Sequence, residues 1–364
     1  MAHNTNVTAG GGVRGWWIGA AFLVLMTLGA ATIPSPYAIE QPGPVVDAFG
    51  SIETAEGETP VITVEGVETF PTSGTINILS VTISGSPDRP LAWLALARTW
   101  FDPTQSVVPL SALFPEGISA EERAAANAQL METSQLQATA AALGQLGQPL
   151  TGEVRVMSVV DGGPAEGILE QGDTILAAGE REIGGLGELQ AALAQAGSGG
   201  QLTLDIARGG NDLRVVVSPQ ARGSDPQPLL GVTVTTELEI PFDVEFQLDK
   251  IGGPSAGLTF ALALYDLLTP GELTGGLTVS TTGTIDEVGT VGPIGGVPQK
   301  LWGAANAGTD LILLPLANCR DLPESLPEGV QVVPVATLTE AITAIDAVKA
   351  GETPAGLERC EAPV

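Results

Sequence analysis

Residues 16–33, WWIGAAFLVLMTLGAATI, form an apolar run of eighteen positions without a charge, preceded by Arg14 and closed by Pro34. As a helix this run is close to one hydrocarbon thickness. Two readings stand beside each other: a signal anchor over 16–34 that stays in the membrane, or a secretory signal cut near Gly29, Ala30 and Ala31. The length of the run, and Trp16 and Trp17 at an interfacial position, favour the anchor. Arg14 before the span and Glu40 as the first acid after it predict a cytoplasmic tail over 1–15. The rest of the chain is then expected outside a cell membrane crossed once.

Further along, the rhythm shortens. Residues 56–85 alternate β-prone runs, VEGVETF and TINILSVTIS, with Pro71, Ser73 and Gly74, and predict strands. Ser119 and Glu122 have capping-box spacing ahead of ERAAANAQLMETSQLQATAAAL, whose alanines predict a helix with Leu130, Met131, Leu136 and Leu143 as its packing face. Residues 152–218 predict a small β-rich module: strands EVRVMSVV and TILAAG around DGGPAEGILEQGD, a helix LGELQAALAQAG, and strands QLTLDIAR and LRVVVSP. The polar, proline-containing stretch 221–229 predicts a linker. From 230 to 350 strands alternate with helices: LEIPFDVEF, SAGLTFALALYDLL, QKLWGAANAG, DLILLPL, VQVVPV and LTEAITAIDAVKA. This alternation predicts an α/β domain. The expected divisions are a tail (1–15), a membrane segment (16–34), a first folded part (50–147), the β-rich module (148–220), the linker (221–229), the α/β domain (230–350) and a C-terminal tail (351–364).

Composition then removes chemistries. Fourteen Lys and Arg stand against 42 Asp and Glu, a net charge of −28, and His3 is the single histidine. A nucleophile paired with imidazole is excluded, because His3 lies in a polar, glycine-flanked tail. Two cysteines and no usable histidine argue against a structural zinc site, and no metal is expected. So acidic a chain lacks the basic patches that bind nucleic acid. No GxxxxGK[ST] sequence occurs, so no ATP site and no cofactor are expected. For Cys319 and Cys360 two readings remain, a disulfide formed in an oxidising compartment or two free thiols.

The candidate chemistry lies in Gly252-Gly253-Pro254-Ser255-Ala256-Gly257, which sets a serine at the start of an apolar helix where free N–H groups stabilise negative charge. Without histidine, the remaining common base is a desolvated lysine. Lys250 adjoins Asp249, and Lys349 has charged neighbours. Lys300 follows the PIGG turn and opens onto Leu301 and Trp302, the most apolar setting of the three.

Two resemblances add to this reading. Gly163-Pro164-Ala165, Gly167-Ile168-Leu169 and Gly172-Asp173-Thr174-Ile175 resemble the signature of bacterial PDZ domains. That resemblance implies an extended peptide added beside a strand. The groove is expected between Glu153–Val160 and the helix from Leu186 to Ala196, with Val154, Val156 and Leu186 as contacts, although no Gly-Leu-Gly-Phe type loop precedes that strand. GGPSAG together with TTGTIDEVGTVGPIGGVPQK resembles the proteolytic domain of the Lon peptidases, family S16, which use a Ser-Lys dyad. On that motif Ser255 matches the nucleophile, Lys300 the base, and Thr282 a threonine that orients the amine. Thr284 stands where the family has Glu, and Val297-Pro298-Gln299 departs from the usual Leu-x-x. Gly253 and Ala256 are expected in the oxyanion pocket, and Asp249 at the entrance or as a turn cap.

Residues 57–145 also resemble the first half of such a domain. The whole then resembles secreted, membrane-anchored Lon-like proteases of the YlbL type: a Lon-type α/β (α+β) fold with an inserted PDZ domain after one transmembrane helix. The implied activity is ATP-independent serine endopeptidase action on membrane or extracytoplasmic proteins, with peptide partners and possible homo-oligomers. The rival reading is a non-catalytic envelope scaffold that holds peptides through its PDZ module.

Overall fold

A computed structural model describes residues 11–54, 57–99, 101–115, 117–148, 150–222, 225–238, 240–248 and 253–360. His3, Asp249 and Lys250 lie outside the described residues.

Helix α1 (Gly11–Thr32) forms where the apolar run predicts one. Among the described residues, however, no helix is long and apolar enough to cross a membrane. The anchor over 16–34, the membrane as a partner and the single-pass, extracytoplasmic placement are therefore corrected. The physical reason lies in Gly29, Ala30, Ala31, Thr27 and Thr32, which interrupt the larger side chains and gain little on leaving water. Past α1, the Ser35 N–H donates to the Leu91 carbonyl and ties the chain to the folded body at 2.7 Å.

The body is one mixed sheet built from both ends of the chain. Strands β1 (Tyr37–Asp47), β2 (Thr75–Ser84) and β3 (Ser106–Pro109) come early. Helix α2 (Ala120–Gln145) follows, and its capping box forms as predicted: the Ser119 hydroxyl accepts from the Glu122 N–H while the Glu122 carboxylate accepts from the Ser119 N–H. Its buried face is made of Ser134, Ala138, Thr139, Ala141, Ala142 and Leu143, whereas Leu130 is exposed. Small side chains let α2 lie close to its neighbours, which a search for large apolar residues does not anticipate.

The inserted module contains β4 (Gly152–Val159), β5 (Thr174–Ala178), α3 (Leu186–Ala196), β6 (Leu202–Arg208), β7 (Asn211–Val217) and β8 (Val232–Leu238). Its antiparallel order is β7-β6-β5-β4-β8. The expected linker instead forms a hairpin, Gln220–Arg222 with Asp225–Leu229. Residues 232–238 then return to the module, so it runs past 220 to 238.

The chain next supplies α4 (Gly257–Leu268), β9 (Thr278–Thr281), β10 (Thr284–Ile285), β11 (Val291–Gly292), α5 (Val297–Asn306), β12 (Leu311–Pro315), β13 (Gln331–Val335) and α6 (Leu338–Lys349). The main sheet has the order β13-β12-β9-β2-β1-β3. β9 runs parallel to β2, pairing Thr278 with Thr75, so early and late segments form one domain that starts at Tyr37 rather than 50. One face packs Ile76, Ile78 and Leu313 against Leu258, Leu262 and Ile345 of α4 and α6. The other packs Leu79, Ile312 and Leu314 against Val297, Leu301 and Ala304 of α5. The result is a three-layer α/β fold in which the parallel strands β9, β12 and β13 are near-continuously buried, while the antiparallel β1 and β3 are only partly covered.

Candidate active site

Ser255 sits on a tight 3-10 turn, Pro254–Ala256, that leads directly into α4. Three contacts fix this turn. The Ser134 hydroxyl of α2 donates to the Pro254 carbonyl at 3.1 Å, which explains a serine on the buried face of α2. The Gly283 N–H donates to the Ser255 carbonyl at 2.9 Å, and the Leu258 N–H donates back to the Gly283 carbonyl at 3.0 Å. Gly257 permits the close approach: a Cβ there would stand 2.9 Å from Ser134 Oγ and 3.0 Å from the Ile285 nitrogen.

Lys300 lies on the first turn of α5 and is 4 % exposed. Its Nζ donates to Thr282 Oγ1 at 2.9 Å, and Thr282 Oγ1 in turn donates to the Ser255 carbonyl at 3.3 Å. No ion pair holds the amine among the described residues, and burial lowers its pKa to about 8. The ammonium is disfavoured where water is excluded, which shifts the amine toward its neutral form. Thr282 is anchored at the end of β9 by its N–H to the Leu313 carbonyl, 3.1 Å. Ser255 and Lys300 face one cleft of about 310 Å³, walled by Gly295 and Gly296 and by the end of β2. Gly296 caps α5 in the left-handed region, φ +68°, and a Cβ there would meet Val81.

The loop before α5 is braced from outside. Asn318 accepts from the Ile294 N–H at 2.9 Å and donates to the Ile294 carbonyl at 2.8 Å. The adjoining Cys319 is joined to Cys360 by a disulfide, with Cα atoms 5.2 Å apart. Of the other lysines, Lys349 pairs with Asp346 at 2.8 Å and donates to the Leu273 carbonyl, so it is far from a free base. Gly253 has φ +101° and Ala256 is buried.

The peptide groove expected on β4 is corrected. Val154 and Val156 are both 0 % exposed and point into the module's core. β4 is also flanked on both edges, by β5 and by β8. Sequence order misled because β8 comes some seventy residues after β4 yet takes its open edge. β8, entered through Leu230 and Gly231, is an edge strand of this sheet, with β7 at the other end. Its alternating VTVTTEL was the available signal. Leu186 is partly buried at the start of α3, and its N–H is taken by Glu287 of the β10–β11 turn at 2.8 Å. The same Glu287 oxygen accepts from Thr236 Oγ1 of β8 at 2.8 Å, a link between module and catalytic-side hairpin that the sequence did not suggest.

Comparison with known proteins agrees with this division. The Lon protease (S16) C-terminal proteolytic domain family matches residues 249–347, and the PDZ domain family matches 141–218. The Lon protease of Lachnoclostridium phytofermentans is 40% identical over 93 residues, 25% of this chain and 11% of that protein. The Lon protease of Phenylobacterium zucineum is 35% identical over 120 residues, 32% of this chain and 15% of that protein. The chain thus spans only a small part of the length of the curated relatives it matches. Among solved structures, the PDZ domain of the SdrC-like protein from Listeria monocytogenes is 23% identical and covers 22% of this chain and 86% of that one, with a TM-score of 0.22. Residues 249–347 are thus similar to a Lon-type proteolytic domain and residues 141–218 to a PDZ domain.

Proposed function

We propose that the chain is a serine endopeptidase of the Lon type that works without ATP, with Ser255 as nucleophile, Lys300 as general base and Thr282 as the group that orients the amine. The observation that carries this reading is the state of Lys300: a buried amine without a carboxylate partner among the described residues, held by one threonine hydroxyl in the cleft that Ser255 also lines.

In this mechanism neutral Lys300 accepts the Ser255 hydroxyl proton as the oxygen attacks a peptide carbonyl. The negative charge that develops is met by N–H groups at Gly253, Ser255 and Ala256, reinforced by the positive end of α4. The Lys300 ammonium then protonates the leaving amine as the C–N bond breaks. Water, deprotonated by the same lysine, hydrolyses the acyl-enzyme and returns the proton. The PDZ module would receive an extended peptide on the open edge of β8, with its backbone as the recognition element. The first folded part (37–145) and the 240–350 part act as one catalytic domain in this reading.

A fluorophosphonate probe tests it. Stoichiometric labelling of the wild type that is lost in both Ser255→Ala and Lys300→Ala supports the dyad. Labelling that persists in either variant removes that residue from its role, and absence of all Ser255-dependent labelling favours the scaffold reading.

A further inference from the structure

Glu40 places a carboxylate in the Ser255–Lys300 cleft, and the proton-transfer chemistry does not use it. Register fixes where it points. Glu40 of β1 stands opposite Ile83 of β2 and opposite Ser106 of β3. Residues directly opposite in antiparallel strands project from the same face. The Ser106 hydroxyl accepts from Gln299 of α5 at 2.6 Å, so this is the face that α5 covers, next to Lys300. Val81, two residues before Ile83 on the same face, lies against Gly296. The cleft of about 310 Å³ is accordingly bounded by Glu40, Val81 and Ile83 on one side and by Ser255 and Lys300 on the other.

The carboxylate is half-buried, and burial raises its pKa. Among the described residues it has no ion pair and no hydrogen bond. Burial lowers the pKa of Lys300, and no ion pair joins it to Glu40 among the described residues.

We infer that Glu40 is a specificity-determining residue that receives a cationic side chain, lysine or arginine, of the polypeptide substrate close to the bond that is cut. This rests on the peptidase reading above and names its substrate class. A partly desolvated carboxylate gains a charge-assisted hydrogen bond from an ammonium or guanidinium, whereas a neutral or acidic side chain leaves it unpaired. The net charge of −28 adds a long-range attraction for the same cationic segments. The apolar wall of Val81 and Ile83 suits the methylene stem of such a side chain, with its charged end at Glu40.

The test is cleavage-site profiling by mass spectrometry, using full-length chain and a peptide library made by cutting a proteome after acidic residues, with fluorophosphonate labelling of the same preparations. Ser255→Ala serves as the blank. Wild type should show Lys or Arg enriched about tenfold at one fixed position beside the cut bond. Glu40→Gln should lose that enrichment, Glu40→Asp should keep part of it, and Glu40→Lys should shift it to Asp and Glu. Labelling in every Glu40 variant shows that the variant is folded. Profiles that are the same in wild type and Glu40→Gln, with labelling intact, overturn the specificity role and leave the peptidase standing. Absence of any Ser255-dependent labelling or cleavage overturns the peptidase reading and this inference with it.

Discussion

The PDZ module and the proteolytic domain each bring a cation against a buried surface, and they treat it in opposite ways. In the module, Arg208 forms a fork with Asp173, Nε to Oδ1 and Nη2 to Oδ2 both at 2.7 Å, and adds Glu170 and the Ile168 carbonyl. Asp173 is 1 % exposed. Burial pushes its pKa up, but the Arg208 hydrogen bonds and the Glu170 N–H outweigh that and leave it lowered. Among the described residues, Lys300 meets only a threonine hydroxyl. A charge that is fully paired stays a charge and holds loops together. A charge left without a counter-ion is pushed toward its neutral form, which is what a base requires.

The contrast can be broken most severely at the proposed dyad. Ser255→Ala or Lys300→Ala should lower turnover of any cleaved peptide by at least about 10⁴-fold, measured against the untreated rate of the same preparation. Next in size is Arg208→Met, which strands the Asp173 carboxylate and should cost about 3–5 kcal/mol in denaturant unfolding. Lys300→Met should do the reverse: with a folded pKa of about 8 against about 10.4 when unfolded, the lysine costs roughly 3 kcal/mol at pH 7, and its removal should raise the melting temperature. A drop in stability for Lys300→Met would mean that the amine is satisfied as an ammonium, and the comparison would fail.

The two sites also separate along the pH axis. Lys300 has a depressed pKa, so its stability cost is present below about pH 8 and is relieved as pH rises from there toward the unfolded value. The acylation rate should climb through the same region, with a midpoint near pH 8. Asp173 also has a lowered pKa, and its contribution is present above the unfolded value of about 3.9 and lost as pH falls through its folded value. Acid should therefore loosen the module without affecting the base. The smallest effect is expected from Thr282→Val, about 10- to 100-fold in acylation rate with little change in unfolding free energy. A loss equal to that of Lys300→Ala would make Thr282 part of the reaction itself rather than a positioning group.

Much of the candidate site was legible because its signals are local. Ser255 is set by the Gly-Pro-Ser turn before an apolar helix, Lys300 by the PIGG turn, and α2 by the Ser119–Glu122 box. What escaped the sequence depends on which strand takes which edge. β8 fills the side of β4 that Val154 and Val156 were expected to offer, although it follows β7 in the chain. Glu40 reaches the cleft only through its register with Ile83 and Ser106, and Glu287 matters only because β8 ends and α3 begins beside it. The apolar run of α1 was legible as a helix, but its spacing of glycine, alanine and threonine was read as more apolar than it is.

The pairing of β2 with β9 makes the timing of synthesis matter. Thr75 and Thr278 are neighbours in the sheet, with the whole PDZ module between them in the chain. At about 5–20 residues per second, a ribosome needs roughly 10–40 s to span that interval. For that time the edge of β2 bearing Ile76 and Ile78 has no partner strand, a state prone to wrong pairing. The module shortens the search, because Gly152 and Leu238 pair at its base and bring the two flanking segments together. Ser255, Thr282 and Lys300 all emerge after it. A ribosome-bound chain therefore lacks the proposed Ser-Thr-Lys set until the inserted module has been made.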